Sequence, residues 1–144
     1  MPSRSTDSHK LRWLARLWAA PCSLIGLLLG LLLTPLGTRW SVHQGVLEIA
    51  LAPRTQNPVR RRPAWRFSAI TLGHVVLGQS SQALQQLRRH EHAHVAQYER
   101  WGPVFLVAYP LSSLIQWAKG KRPYLDNRFE VQAREAERRP PLGP

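Results

Sequence analysis

His90-Glu91-His92-Ala93-His94 lies in the middle of residues 82–100, a stretch with no Pro or Gly and many good helix formers. Ser80 or Ser81 is a suitable N-cap before it. Trp101-Gly102-Pro103 supplies the Gly-then-Pro stop after it. A helix over this stretch turns about 100° per residue, which puts His94 about 40° and Glu91 about 100° from His90. Leu84, Leu87, Val95, Tyr98 and Trp101 fall in the same arc. Arg88, Arg89, His92 and Glu99 fall on the other side. The periodicity therefore predicts that His90, Glu91 and His94 face a core and that His92 faces solvent.

Two histidines four residues apart can share one metal ion only if both look into a common pocket. Zinc takes neutral imidazole, and a partly desolvated pocket favours the neutral form. A carboxylate beside the ligands, here Glu91, can take a proton from a zinc-activated water. A buried His-Glu-His set with no partner is costly, and a cation removes that cost. A third protein ligand is then required. A last helix starting at Asp126 or Asn127 and running to about Arg138 has an apolar stripe of Leu125, Phe129, Ala133 and Ala136. Asp126, Glu130 and Glu137 border that stripe; Glu130, three residues before the small Ala133, is the expected third ligand. The competing reading makes Glu130 a surface carboxylate in i,i+4 contact with Arg134.

His90-Glu91-x-x-His94, followed by a separate helix carrying Asn127-x-x-Glu130-x-x-Ala133, resembles the gluzincin branch of the zincin metallopeptidases. The spacing of His90, Glu91, His94, Gln97, Tyr98 and Gly102 is similar to that of small bacterial proteins of unknown function with an HExxHxxQ signature. The resemblance spans roughly residues 65–137. It implies Zn2+ as cofactor, His90, His94 and Glu130 as ligands, and Glu91 as the catalytic acid–base. A peptidase also needs an oxyanion stabiliser. Tyr124, Tyr109 and His74 are the candidates, though each is also an ordinary core residue type. The Asp that in that family usually follows soon after the ligand Glu and supports the metal ligands is missing: Arg134 follows Ala133.

Before the motif, residues 45–51 and 68–78 read as β-type runs that pair as a short antiparallel ribbon. Gly73 is a bulge or a point of close approach, and residues 53–63 form a basic loop. Residues 104–117 are mostly apolar and contain Pro110. This run is too short to span a bilayer and reads as a buried or interfacial helix. Residues 19–38 carry no charge, and residues 24–33 are almost continuously Leu, Ile and Gly. That length just suffices for a membrane anchor; a signal peptide and a buried helix are the alternatives. Cys22, the single cysteine, cannot form an intrachain disulfide and reads as a buried or lipid-facing small residue.

The 144 residues suit one domain, and the formal charge is +12. The excess sits in a basic start (Arg4, Lys10, Arg12, Arg16), in a Pro-containing segment (Arg54, Arg60, Arg61, Arg62, Arg66) and in a tail (Arg138, Arg139). Scattered in this way, it argues against a nucleic-acid partner, which needs basic side chains ranked on one element. The expected organisation is a basic flexible N-terminus (1–18), an anchor or signal helix (19–38), a zincin-like domain (39–138) and a Pro-rich tail (139–144). The fold class is α+β: the N-terminal helix, a β-ribbon, then three helices including the HExxH helix. The expected function is a membrane-anchored, zinc-dependent, peptidase-like hydrolase in which metal-activated water attacks an amide of a peptide or protein substrate. The alternative is an inactive zincin-like scaffold at the membrane. The chain would sit in the membrane through residues 19–38, or be secreted or periplasmic after signal cleavage.

Overall fold

The computed structural model describes residues 4–51 and 68–139; of residues 4–11 only the backbone is described. Most of the tail and the basic segment with Arg54, Arg60–Arg62 and Arg66 lie outside the described residues. The fold is α+β. Helix α1 (Arg4–Leu33) leads through a 3-10 turn into strands β1 (Thr38–His43), β2 (Val46–Leu51), β3 (Ala69–Leu72) and β4 (Val75–Gly78). Helix α2 (Ser81–Trp101), a second 3-10 turn, α3 (Phe105–Ala118) and α4 (Arg128–Arg138) follow.

The expected two-run antiparallel ribbon is instead a four-stranded sheet in the order β1-β2-β4-β3. Each run belongs to its own antiparallel hairpin, and the two hairpins join through the parallel pair β2–β4. Gln44 and Gly45 both have positive φ, as a type I′ turn requires. Gly73 is the turn residue that splits residues 68–78 into β3 and β4. It is also a point of close approach, since a Cβ there would collide with Ser23 and the Ala19 carbonyl of α1.

Side chains alternate across this sheet. Val46, Ala50 and Val76 pack with Leu84 and Val95 of α2 on one face. On the other face, Ile49, Leu72 and Val75 meet α1 at Gly26 and Gly30, where a Cβ would overlap them. The sheet thus lies between α1 and α2. α1 extends back to Arg4, so it includes much of the segment expected to be flexible. Over Arg12–Leu36 it is long and apolar enough to cross a membrane. It is not a detached tether, however. Ala19 and Cys22 are fully buried in a core with Tyr98, Phe105 and Phe129, and Ser23 Oγ accepts the His74 N–H at 2.9 Å.

The face of α2 opposite the motif also meets the sheet, which corrects the placement of His92 in solvent. Glu48, buried in mid-sheet on β2, accepts two bonds from Arg88, at 2.7 Å from Nε and 2.9 Å from Nη2. His92 lies 3.7 Å from the same carboxylate. Wheel position alone could not separate solvent from a sheet carrying a buried acid. Burial raises the Glu48 pKa, but the Arg88 bonds and charge, with His43 and His92 nearby, hold it below the usual range.

A depressed carboxyl pKa contributes stability above the unfolded value of about 4.3, and that contribution is lost as pH falls through the folded value. Arg88→Met leaves Glu48 buried and unpaired, a change worth about 3–5 kcal/mol for a buried pair and toward the low end here because Arg88 is partly exposed. Urea unfolding in mild detergent should show that loss at neutral pH. The gap to wild type should narrow as pH drops below the carboxylate range. A variant as stable as wild type at neutral pH would contradict the pairing.

Candidate metal centre

Ser80 caps α2 by accepting the Ala83 N–H at 3.1 Å, and Gly102 with φ 55° closes it. The helix then offers one stripe to the sheet and another, containing His90, His94, Gln97 and Tyr98, to α3 and α4. α4 is fixed by Asn127, whose Oδ1 accepts the Phe129 N–H at 2.9 Å. The Asn127 amide also donates to the Tyr109 carbonyl at 3.1 Å and to Ser113 Oγ at 2.7 Å, tying α4 to α3. Ala133 has no exposed surface and lets α4 pack closely. Glu130 is carried inward and is 2% exposed.

His90, His94 and Glu130 converge as a buried group that could hold a metal ion. His90 Nε2 is 3.2 Å from Glu130 Oε2, His94 Nε2 is 3.3 Å from Glu130 Oε1, and the two Nε2 atoms are 3.3 Å apart. Ligands held at about 2.0–2.1 Å in a tetrahedron are roughly 3.3–3.4 Å from one another. The two imidazole nitrogens are spaced as two such ligands are, and each lies at a similar distance from a different oxygen of the Glu130 carboxylate. Glu130 Oε1 accepts the Tyr109 hydroxyl at 2.6 Å. Glu130 Oε2 is buried with no hydrogen bond among the described residues, a position a cation would satisfy. The i,i+4 contact with Arg134 is present only at 4.0 Å.

Second contacts set the ligand tautomer. Gln97 Nε2 donates to the Phe129 carbonyl at 3.0 Å and lies 3.3 Å from Gln132 Oε1. Its amide oxygen therefore turns to His94 Nδ1, 2.8 Å away, which must carry the proton. His94 Nε2 keeps its lone pair for a metal, as orienting partners of metal-binding histidines ensure. The expectation that desolvation keeps the pocket imidazoles neutral needs correction at His94. Burial lowers its pKa, but bonds to Glu130 and Gln97 more than offset this and raise it. Protons and a cation therefore compete for that atom. Burial alone would raise the Glu130 pKa; His90, His94 and Tyr109 hold it far below the ordinary range.

Glu91 is buried beside the group, and its Oε2 accepts the Thr71 hydroxyl at 2.7 Å. Thr71 belongs to the edge strand β3, so the sheet fixes the rotamer of Glu91. His90, Glu91, His94 and Glu130 line a cavity of about 270 Å³, with Ile70, Leu106, Tyr109 and Tyr124 among its walls. Tyr124 has its pKa pushed up to about 12 by burial and by the charge of Glu130. His74 is not brought to the site: it sits in the β3–β4 turn, 2.9 Å from Glu99. Thr71 had no signal in the sequence, and Gln97 had only its place in the HExxHxxQ spacing.

No family model, curated protein or solved structure matches the chain.

Metal analysis of the full-length chain after zinc loading should give one equivalent. Glu130→Ala and His94→Ala should lose it, and Gln97→Ala should weaken binding about 10–100-fold. His92→Ala should bind as wild type does. Loss of metal in His92→Ala with retention in Glu130→Ala would overturn the ligand assignment.

Proposed function

We propose that the chain is a membrane-anchored, zinc-dependent hydrolase of gluzincin type that cleaves amide bonds in peptides or proteins. The observation that carries this reading is the convergence of the His90 and His94 Nε2 atoms on the buried Glu130 carboxylate, with the Glu91 carboxylate beside them on one cavity. Two imidazoles and a carboxylate in one buried group suit zinc, with a fourth position left for water. When bound, zinc supplies Lewis-acid polarisation of the scissile carbonyl and acidifies the attacking water.

The chain's own groups do the rest. Glu91, held by Thr71, accepts the proton of the attacking water and returns it to the leaving amine. Tyr124 on the cavity wall, kept protonated near neutral pH, is a candidate donor to a developing oxyanion. Tyr109 is occupied in bonding Glu130, which makes it a positioning residue. The strand β3 lines the same cavity, and its side unpaired among the described residues can align an extended peptide by backbone pairing. α1 serves as the anchor. Its burial of Ala19 and Cys22 in the domain core favours retention over removal as a signal peptide.

Zinc-loaded chain in mixed micelles should cleave members of a quenched fluorescent peptide library. Glu91→Gln should bind the same amount of zinc and lose about 10²–10⁴-fold in rate. Undiminished cleavage by that variant would rule out Glu91 as the base.

A further inference from the structure

Helix α3 is inside-out. With about 100° per residue, Leu106, Val107, Leu111, Leu114, Ile115 and Trp117 fall within one half of its wheel, and all six are exposed. No polar side chain lies in that half. The polar residues point inward: Ser113 Oγ accepts from Asn127 at 2.7 Å, Ser112 Oγ from the Arg128 N–H at 3.3 Å, and the Tyr109 hydroxyl bonds Glu130. A water-soluble helix shows the reverse pattern. A contiguous apolar face of this kind marks an interaction surface.

We propose that this face of α3 lies on the surface of an anionic bilayer, as a membrane contact separate from α1. The helix has 14 residues. At 1.5 Å per residue that is roughly 21 Å, short of a hydrocarbon core of about 30 Å, so α3 lies along the bilayer rather than across it. Its C-terminal end carries exposed Trp117, followed by exposed Lys119 and Lys121. An aromatic ring and ammonium groups suit the headgroup level of anionic lipid. The start of α3 lies against α1, because Trp18 of α1 packs on Gly102 in the turn that leads into α3.

The placement has a consequence for the hydrolase reading, on which this step alone rests. Leu106 and Pro110 belong both to the exposed face and to the wall of the metal-site cavity. The cavity then opens beside the lipid, and its substrates are polypeptide segments held at the bilayer surface.

The test uses the full chain with Cys22→Ala, reconstituted in vesicles of phosphatidylcholine and phosphatidylglycerol. Val107→Cys or Leu114→Cys carries an environment-sensitive fluorophore, with Leu28→Cys on α1 and Glu135→Cys on α4 as references. Brominated acyl chains should quench the labels at 107 and 114 severalfold, with little effect at 135. The quenching at 107 and 114 should weaken when phosphatidylglycerol is omitted, while that at 28 persists. Labels at 107 and 114 as open to aqueous iodide as the one at 135 would overturn the proposal. So would labels shielded from both quenchers together with cross-linking between Leu114→Cys chains, which would assign the face to a second copy. Zinc content measured on the same samples separates failure of this contact from failure of the hydrolase reading.

Discussion

A carboxylate buried between two imidazoles is the constraint on which the rest of the molecule depends. Glu130 can reach that position only if α4 packs tightly on α2, which the small side chain of Ala133 permits and the Asn127 bridge to α3 enforces. Tyr109 satisfies one oxygen, and the other has no hydrogen bond among the described residues. In a low-dielectric interior such a group is costly unless a cation or proton joins it. The ordered outer contacts, with Gln97 on His94 and Thr71 on Glu91, preorganise the set rather than neutralise it.

The layering around this centre follows from where polar and apolar surfaces can be satisfied. α2 meets the sheet through Leu84 and Val95 and through the Arg88–Glu48 pair, which fixes one of its faces and leaves the other to carry His90 and His94 toward Glu130. α1 covers the opposite side of the sheet with small residues and turns its leucines outward. Small residues toward protein and large apolar residues outward is the packing expected where lipid, not water, is the outer solvent. α3 repeats the pattern at shorter length. α1 and α3 thus share an inverted polarity, with large apolar side chains turned outward.

The site was more legible in the sequence than the sheet around it. The 3.6-residue period placed His90, Glu91 and His94 inward, and the caps at Ser80 and Asn127 and the stop at Gly102 stand where sequence signals put them. Glu130 was readable because it borders an apolar stripe beside a small residue. His92 was misplaced because a helix wheel cannot reveal that β2 presents a buried Glu48 to the far side of α2. Residues 68–78 looked like one strand because Gly73 fits a bulge as well as a turn; the parallel register of β2 and β4 depends on a long-range pairing that no local pattern encodes. His74 lacked any positional constraint and pairs with Glu99 instead. Thr71 was invisible for the same reason, since its role exists only once the edge strand docks on α2.

The most direct test of a zinc centre at His90, His94 and Glu130 is the zinc K-edge X-ray absorption spectrum of the loaded full-length chain in detergent. The expected result is a shell of about four nitrogen and oxygen atoms near 2.0–2.1 Å, without sulfur. Outer-shell scattering from two imidazoles should accompany it and disappear in part in His94→Ala. An all-oxygen shell, or a spectrum unchanged by His94→Ala, would contradict the assignment.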